Sequence, residues 1–152
     1  MELHKESIGF LIADLARLMR HAFEQRTEGS CITLAQSRAL LYLERNEGIR
    51  QVELAGLLEV QPITLARLID HLHAEGLVER RADPADRRAY RLYLTAAAEP
   101  RLAAIRQVVG EIRADVLDGI DPQQVSIVLA ALNRMRSNLL APQCLDSGEH
   151  AQ

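Results

Sequence analysis

Residues 83–95 read DPADRRAYRLYLT, and this stretch decides the fold. Its first four residues place Asp and Pro at the first and second positions of a favoured β-turn. The side chains of residues 90–94 then follow a pattern with a period of two residues, and residues 77–81 upstream show the same period. This period is typical of two short strands. The sequence therefore predicts a charged β-hairpin, or wing, over residues 82–91.

The wing is basic although the chain as a whole is acidic. Asp86 and Arg88 lie two residues apart, so on a strand they share a side, and we expect their side chains to pair. This pairing would leave Arg87 aimed outward from the tip, where a guanidinium suits the negative potential of a narrow A·T-rich minor groove. The local excess of three positive charges, in a chain of net charge −3, comes from Arg80, Arg81, Arg87, Arg88 and Arg91 against Asp83 and Asp86.

The segment before the wing predicts a helix over residues 62–75. Pro62 fits a first helical turn, and Gly76 is a natural left-handed cap. The inward face would hold Leu68, Ile69 and Leu72 with either Ile63 or Leu65. Steps of three and four residues place four polar side chains together on the exposed face: Gln61, Thr64, Arg67 and His71. Because the major groove admits one α-helix and Gln and Arg can read its base edges, we interpret this helix as a recognition helix.

Further helices flank this unit on both sides. Thr33 and Gln36 form a capping box for a helix that ends near residue 45, and a short helix spans residues 51–58. A long amphipathic helix is predicted from Lys5 to residue 26. Two more follow the wing; Pro100 delays the first of them, and Asp121 opens the second with another capping box.

The order of these elements predicts a mainly α fold with a small β-hairpin wing (α+β), a winged helix-turn-helix with N- and C-terminal dimerisation helices. We expect one regulator domain over residues 1–141. Within it, dimerisation helices occupy residues 5–30 and 96–141, and a DNA-binding lobe occupies residues 33–95. A flexible tail follows at residues 142–152.

Composition narrows the function classes. Hydrophobic residues make up 48% of the chain and aromatic residues 3%, which favours a helical core of aliphatic side chains. Cys31 and Cys144 have no zinc-site spacing, so we expect neither a metal nor a cofactor. The sequence contains no Gly-rich phosphate loop and no nucleophile with an identifiable base. We therefore do not expect an enzyme. The sequence shows no signal-peptide pattern and no apolar run of about 20 residues, so a cytoplasmic protein without a membrane contact is expected.

The sequence resembles the MarR family of bacterial regulators over nearly the whole chain. The strongest portions are the wing, residues 83–95, with its D-x-R-R…L-T signature, and residues 51–55 and 67–80. Residues 14–20 and 94–100 resemble the SlyA-like branch. The turn at residues 59–61 departs from the pattern, since it lacks the Gly of many helix-turn-helix turns.

The resemblance implies a homodimeric transcriptional regulator, more often a repressor, that binds a pseudo-palindromic duplex operator. Thr64 and Arg67 would contact bases, Arg87 would enter the minor groove, and Asp86 would orient a wing arginine. With the polar residues of the recognition helix and the wing, the predicted DNA-binding set is Gln61, Thr64, Arg67, His71, Arg81, Asp86, Arg87 and Arg88.

The resemblance also implies release of DNA by a small lipophilic anion such as an aromatic carboxylate. Arg17 and Arg20 are the candidate carboxylate partners; the alternative is that they form surface or intersubunit salt bridges. Cys31 is expected to be buried or inert, and redox sensing through it is the alternative. A winged helix used for protein–protein contact is a further alternative function.

Overall fold

The computed structural model describes residues 7–141, which form six α-helices and one two-stranded antiparallel hairpin. The helices are α1 (Ile8–Thr27), α2 (Leu34–Arg45), α3 (Gln51–Leu58), α4 (Pro62–Ala74), α5 (Glu99–Val116) and α6 (Pro122–Leu140). The strands are β1 (Val78–Asp83) and β2 (Asp86–Leu94). The predicted winged-helix fold is confirmed. The predicted helix start at Lys5, the tail at 142–152 and Cys144 lie outside the described residues.

Local caps set most helix boundaries. The Thr33 hydroxyl accepts the N–H of Gln36 at 3.2 Å and so opens α2. Asp121 and Gln124 form a reciprocal capping box at the start of α6. The reciprocal half of the predicted box at α2 is absent, because the Gln36 side chain is buried and its Oε1 has no hydrogen-bond partner within residues 7–141.

Helices α3 and α4 end in the same way. In each, a left-handed residue follows the helix, directly after α3 and two positions after α4, and two backbone N–H groups close back onto the last turn, as in a Schellman motif. Gly76 holds this position after α4 with φ of 74°. Glu59 holds it after α3 with φ of 55° and ψ of 43°. The turn without glycine therefore keeps the usual geometry at the expense of a strained glutamate.

The wing is tighter than the sequence predicts. β1 and β2 pair from Val78 and Leu94 up to Asp83 and Asp86, leaving only Pro84 and Ala85 in the turn. The register is irregular between Ala82 and Asp83, which is where the strand bends into the turn. Residues 82–83 and 86–89, which lie between the two predicted strands, are therefore part of the strands. Arg87, Arg88 and Ala89 fall at the irregularity and have no Cα partner across the hairpin.

Pro100 does not delay α5. A short 3₁₀ turn at Ala96–Ala98 leads directly into the helix at Glu99, so Pro100 occupies its first turn. An N–H group there has no intrahelical acceptor, so proline loses nothing by lacking one. The prediction of a later start was wrong for this reason.

The described residues form two compact units that divide after Arg113. The first unit contains the buried core, whose largest fully buried side chains are Leu40, Leu43, Leu54, Leu65, Ile69, Leu72, Leu92, Ile105 and Val78. The second unit contains α6, none of whose residues is buried. No helix in residues 7–141 is both long enough and apolar enough to span a bilayer.

Two helices present large apolar faces that the rest of residues 7–141 leaves uncovered. On α1 these are Ile8, Phe10, Leu11, Ile12, Leu15, Leu18 and Met19, each at least 40% exposed. On α6 they are Ile127, Val128, Leu129, Leu132, Met135, Leu139 and Leu140. Contiguous apolar patches of this kind are rare on monomeric proteins.

Candidate nucleic-acid interface

The outward face of α4 is polar and has no partner within the described chain. Leu65, Ile69 and Leu72 are each 0% exposed and seat the helix on the core. The predicted contact residues Gln61, Thr64, Arg67 and His71 are all exposed. No hydrogen bond or ion pair within residues 7–141 engages their side chains, so this face is available to an external molecule.

The structure decides which of two candidate residues faces the core. Leu65 is fully buried, whereas Ile63 is 64% exposed. Ile63 therefore lies on the outward face, one helical turn before Arg67. The sequence offered Ile63 only as an alternative to Leu65 for the inward face; the four-residue spacing to Arg67 was the available signal for an outward position.

Arg80 fastens α4 to the rest of the lobe. Its Nε donates to Gln51 Oε1 at 3.0 Å, and one terminal nitrogen donates to the Ala66 carbonyl at 3.1 Å. The other terminal nitrogen pairs with Asp70 Oδ1 at 2.6 Å. These contacts join α3, α4 and β1, so the charge of Arg80 supports the fold and does not contribute a free cation.

A buried carboxylate anchors the wing. Asp83 is 2% exposed, and its Oδ2 lies 2.8 Å from Arg50 Nε and 3.4 Å from Arg91 Nε. The N–H of Ala85, donated to Oδ1 at 3.0 Å, lowers the pKa of Asp83, and the charges of Arg91 and Arg50 lower it further. Asp83 thus ties the wing to the N-terminus of α3.

Arg91 continues this connection into the preceding loop. One of its terminal nitrogens donates to the Gly48 carbonyl at 2.9 Å, and an isolated β-bridge pairs Arg50 with Arg91. Because one arginine contacts both the wing carboxylate and the loop before α3, the hairpin has a fixed base. A minor-groove contact from its tip would therefore start from a preorganised position.

The predicted pairing of Asp86 with the Arg88 side chain is wrong. Asp86 Oδ1 accepts the backbone N–H of Arg88 at 3.0 Å, and no ion pair joins the two side chains in the described structure. Asp86 follows the two-residue turn directly, where a short carboxylate reaches the backbone two positions on. It therefore stabilises the turn, and Asp83 is the carboxylate that holds arginines.

Arg81 has partners that reduce its availability. It pairs with Glu79 at 3.3 Å and lies over the Tyr93 ring, 3.9 Å from its centroid. The hydrogen bonds that Arg81 donates to the Glu79 carboxylate raise the pKa of Arg81. Arg80, Arg81 and Arg91 have partners. The unpaired positive charge of the wing therefore comes from Arg87 and Arg88, which are exposed and have no partner within residues 7–141.

An open cleft of about 230 Å³ lies beside Arg88. Its walls come from the start of α3, the start of α4 and β2: Arg50, Gln51, Val52, Pro62, Arg88, Ala89 and Tyr90. In helix-turn-helix complexes the first helix crosses the DNA backbone, and a cleft with an unpaired guanidinium at its edge suits a phosphate.

The residues predicted for an effector are separate from this surface. Arg17 pairs with Asp14 on the same helix at 2.6 Å and its side chain is 62% exposed, which agrees with the salt-bridge alternative. Arg20 is exposed. Cys31 is also exposed, so of the two expectations, buried or inert, burial is excluded and inertness stays a prediction.

A second cavity, of about 330 Å³, lies behind the outward face of α4. Most of its lining is apolar, from Ala35, Leu58, Val60, Leu65 and Leu68, and Thr64, Arg38 and Arg67 complete it. Neither guanidinium has a hydrogen-bond or ion-pair partner among the described residues.

Comparisons with known proteins agree on the fold and the family. The sequence model of the MarR family matches residues 32–89. The transcriptional regulator PA3341 is 35% identical, with a TM-score of 0.75 over 90% of this chain and 100% of that one. A MarR transcriptional regulator from Methanosarcina mazei Go1 is 30% identical, with a TM-score of 0.76 over 88% and 96%.

The transcriptional regulator SlyA is also similar, at 25% identity and a TM-score of 0.72 over 88% of this chain and 94% of that one. The matched region of the family model contains α2, α3, α4 and the wing up to residue 89, which is the lobe that carries the unpaired polar face. The chain therefore belongs to the MarR family of transcriptional regulators.

Proposed function

We propose that this protein is a homodimeric repressor that binds a pseudo-palindromic duplex operator in the cytoplasm. Helix α4 enters the major groove and presents Gln61, Thr64, Arg67 and His71 to base edges. The wing enters the adjacent minor groove and presents Arg87. One observation carries the proposal: the polar face of α4 and the two arginines at the wing tip are all unpaired within the described chain, while the surrounding arginines are fixed by partners.

Dimerisation is supported by the uncovered apolar faces of α1 and α6. A second copy is the occupant that a symmetric operator requires, since two recognition helices then meet half-sites about 34–36 Å apart, one turn of the duplex. The terminal regions at 5–30 and 96–141 are the proposed dimerisation helices, and residues 33–95 are the proposed DNA-binding lobe.

The experiment is a fluorescence-anisotropy titration of the full chain with the promoter DNA of the adjacent gene. Binding should weaken steeply with salt, because each neutralised phosphate releases counterions. Arg87→Ala should cost about 1–3 kcal/mol of binding free energy, with helical content and dimerisation unchanged. Arg81→Ala is the matched control, since Arg81 is already paired, and it should bind nearly as tightly as the wild type.

Two results would overturn the proposal. One is a purified chain that binds no duplex even at low salt, which would favour a winged helix used for protein contact. The other is an Arg87→Ala variant with wild-type affinity, which would remove the wing from the interface.

The proposed effector is a small aromatic carboxylate. The cavity of about 330 Å³ behind α4 supports such a ligand, because small-molecule sites are mostly apolar with few polar groups and range from about 300 to 1,000 Å³. Arg38 and Arg67 would bind the carboxylate there, and Arg17 and Arg20 on α1 are the alternative. Arg38→Gln and Arg20→Gln, compared for release of DNA by salicylate, distinguish the two positions.

A further inference from the structure

One large aliphatic side chain lies at the N-terminal end of the proposed DNA-reading face of α4. Ile63 is the second residue of α4 and is 64% exposed. The buried residues Leu65 and Ile69 lie on the other side of the helix, so the core makes no use of Ile63. A single exposed isoleucine is ordinary on a protein surface. Its position on the outward face of α4, four residues before Arg67, is what calls for an explanation.

The chemistry of the major groove offers an apolar side chain one kind of partner. Base edges there present hydrogen-bond donors and acceptors, and the C5-methyl group of thymine is the apolar exception. A side chain at the N-terminal end of a recognition helix is the part that reaches base edges. Ile63 has no donor or acceptor with which to read guanine, adenine or cytosine.

We propose that Ile63 is a specificity-determining residue that reads a thymine through its methyl group, an inference that rests on the proposed function. Arg67 lies on the same face about 6 Å further along the helix axis. Successive base pairs are about 3.4 Å apart. The thymine read by Ile63 therefore lies within about two base pairs of the base read by Arg67, once in each half-site.

The test replaces thymine by uracil, which removes the methyl group and keeps base pairing. Each symmetric thymine pair of the footprinted operator is exchanged in turn, and the full chain is titrated by anisotropy. For one pair we expect wild-type affinity to fall about fourfold per methyl, or about 15-fold over two half-sites, the effect of burying one methyl group each. Ile63→Ala should bind the thymine operator more weakly and should not respond to uracil at that pair.

Leu57→Ala is the matched control, because Leu57 is also an exposed aliphatic residue, at 46%, but lies on α3. It should keep the wild-type response to uracil. The salt dependence of Ile63→Ala should equal that of the wild type, since no phosphate contact is lost. An Ile63→Ala variant that still loses affinity on uracil exchange, or a wild type insensitive at every position, overturns the proposal. If the wild-type chain binds duplex with a steep salt dependence but its affinity does not change on uracil exchange, only the proposed role of Ile63 is refuted. If the chain binds no duplex, the proposed function is refuted as well.

Discussion

The backbone of Glu59 is left-handed, a conformation that a residue with a Cβ atom disfavours. It sits after α3 in the same left-handed position that Gly76 occupies after α4, and both ends carry the same pair of backbone hydrogen bonds. A non-glycine residue pays a steric penalty there, because its Cβ approaches the following carbonyl oxygen. The two helix ends therefore form a natural comparison of one geometry with two residue types.

Exchanging these residue types should change stability in opposite directions. Glu59→Gly should raise the free energy of unfolding by about 1 kcal/mol, and Gly76→Ala should lower it by about 1 kcal/mol. A Cβ at Gly76 meets no atom within 4 Å, so its effect isolates backbone conformation. Urea unfolding at fixed protein concentration measures both. If Glu59→Gly were destabilising, the glutamate side chain would have a stabilising contact that outweighs the strain.

Asp83 gives the stability an acid-sensitive component. Its pKa in the folded chain lies below the ordinary value, first through the Ala85 N–H and then through Arg91 and Arg50. Its charge therefore stabilises the fold above the unfolded value of about 3.9, and this contribution is lost as the pH falls through the lowered folded value.

Replacing this carboxylate should change the pH profile of unfolding. Asp83→Asn should be less stable than the wild type at neutral pH, because Arg50 and Arg91 lose their shared partner, and the deficit should shrink towards pH 3. Urea midpoints at several pH values provide the measurement. Asp86→Asn, at the other end of the same turn, is the control and should leave the neutral-pH midpoint nearly unchanged. A deficit that is constant with pH would mean that packing, and not charge, holds Asp83 in place.

At the scale of elements, the helix boundaries set by local signals could be predicted from the sequence, and the long-range side-chain pairings could not. Thr33, Pro62, Gly76 and Asp121 act on backbone groups within a few residues, so their sequence context specifies the helix boundary. The nearest charged partner of Asp83 is Arg50, which is 33 residues away in the chain, and no local pattern indicates it. The wrong pairing of Asp86 has the same origin, since strand alternation proposes neighbours but does not exclude a backbone acceptor.

The same difference between local patterns and long-range contacts explains how much of the candidate interface could be predicted from the sequence. Exposure of Gln61, Thr64, Arg67 and His71 followed from helical periodicity alone. Periodicity left Ile63 and Leu65 as alternatives, because both apolar residues lie near the first turn, where the approach of the chain to the core decides which one is buried. Which wing arginines remain unpaired depends on Glu79, Gln51 and Asp70, whose side chains meet them only in the folded lobe.

The wing as an element should act through its anchor. Asp83→Asn should weaken operator binding because the hairpin base is no longer held to Arg50, although Asp83 itself is buried and cannot contact DNA. In an Arg87→Ala background the same change should have a smaller effect, since the contact that the anchor positions is already missing. A double-mutant cycle by anisotropy measures this coupling, and strictly additive losses would contradict a positioning role.

At the scale of the whole molecule, the proposed operator recognition depends on two lobes acting together. In the proposed dimer each copy supplies one α4 and one wing, and a single lobe would bury only part of the surface that a specific complex requires. Joining two lobes converts the second contact into an intramolecular event and can raise affinity by about 100-fold or more. In the proposed complex, the apolar faces of α1 and α6 are therefore as necessary to binding as the arginines proposed to contact DNA.

A charge placed in the apolar face of α6 should separate the two copies. Leu132 is 42% exposed in the single chain, and Leu132→Glu would bury a carboxylate in the proposed interface, where it has no partner. We expect a monomer by analytical ultracentrifugation and a loss of operator affinity of roughly 100-fold. Ser126→Glu adds the same charge on α6 at an exposed polar position and should remain dimeric with wild-type affinity. Circular dichroism verifies that helical content is kept in both variants. A Leu132→Glu chain that stays dimeric would move the interface away from this face, and a monomeric chain with full affinity would show that one lobe is sufficient for recognition.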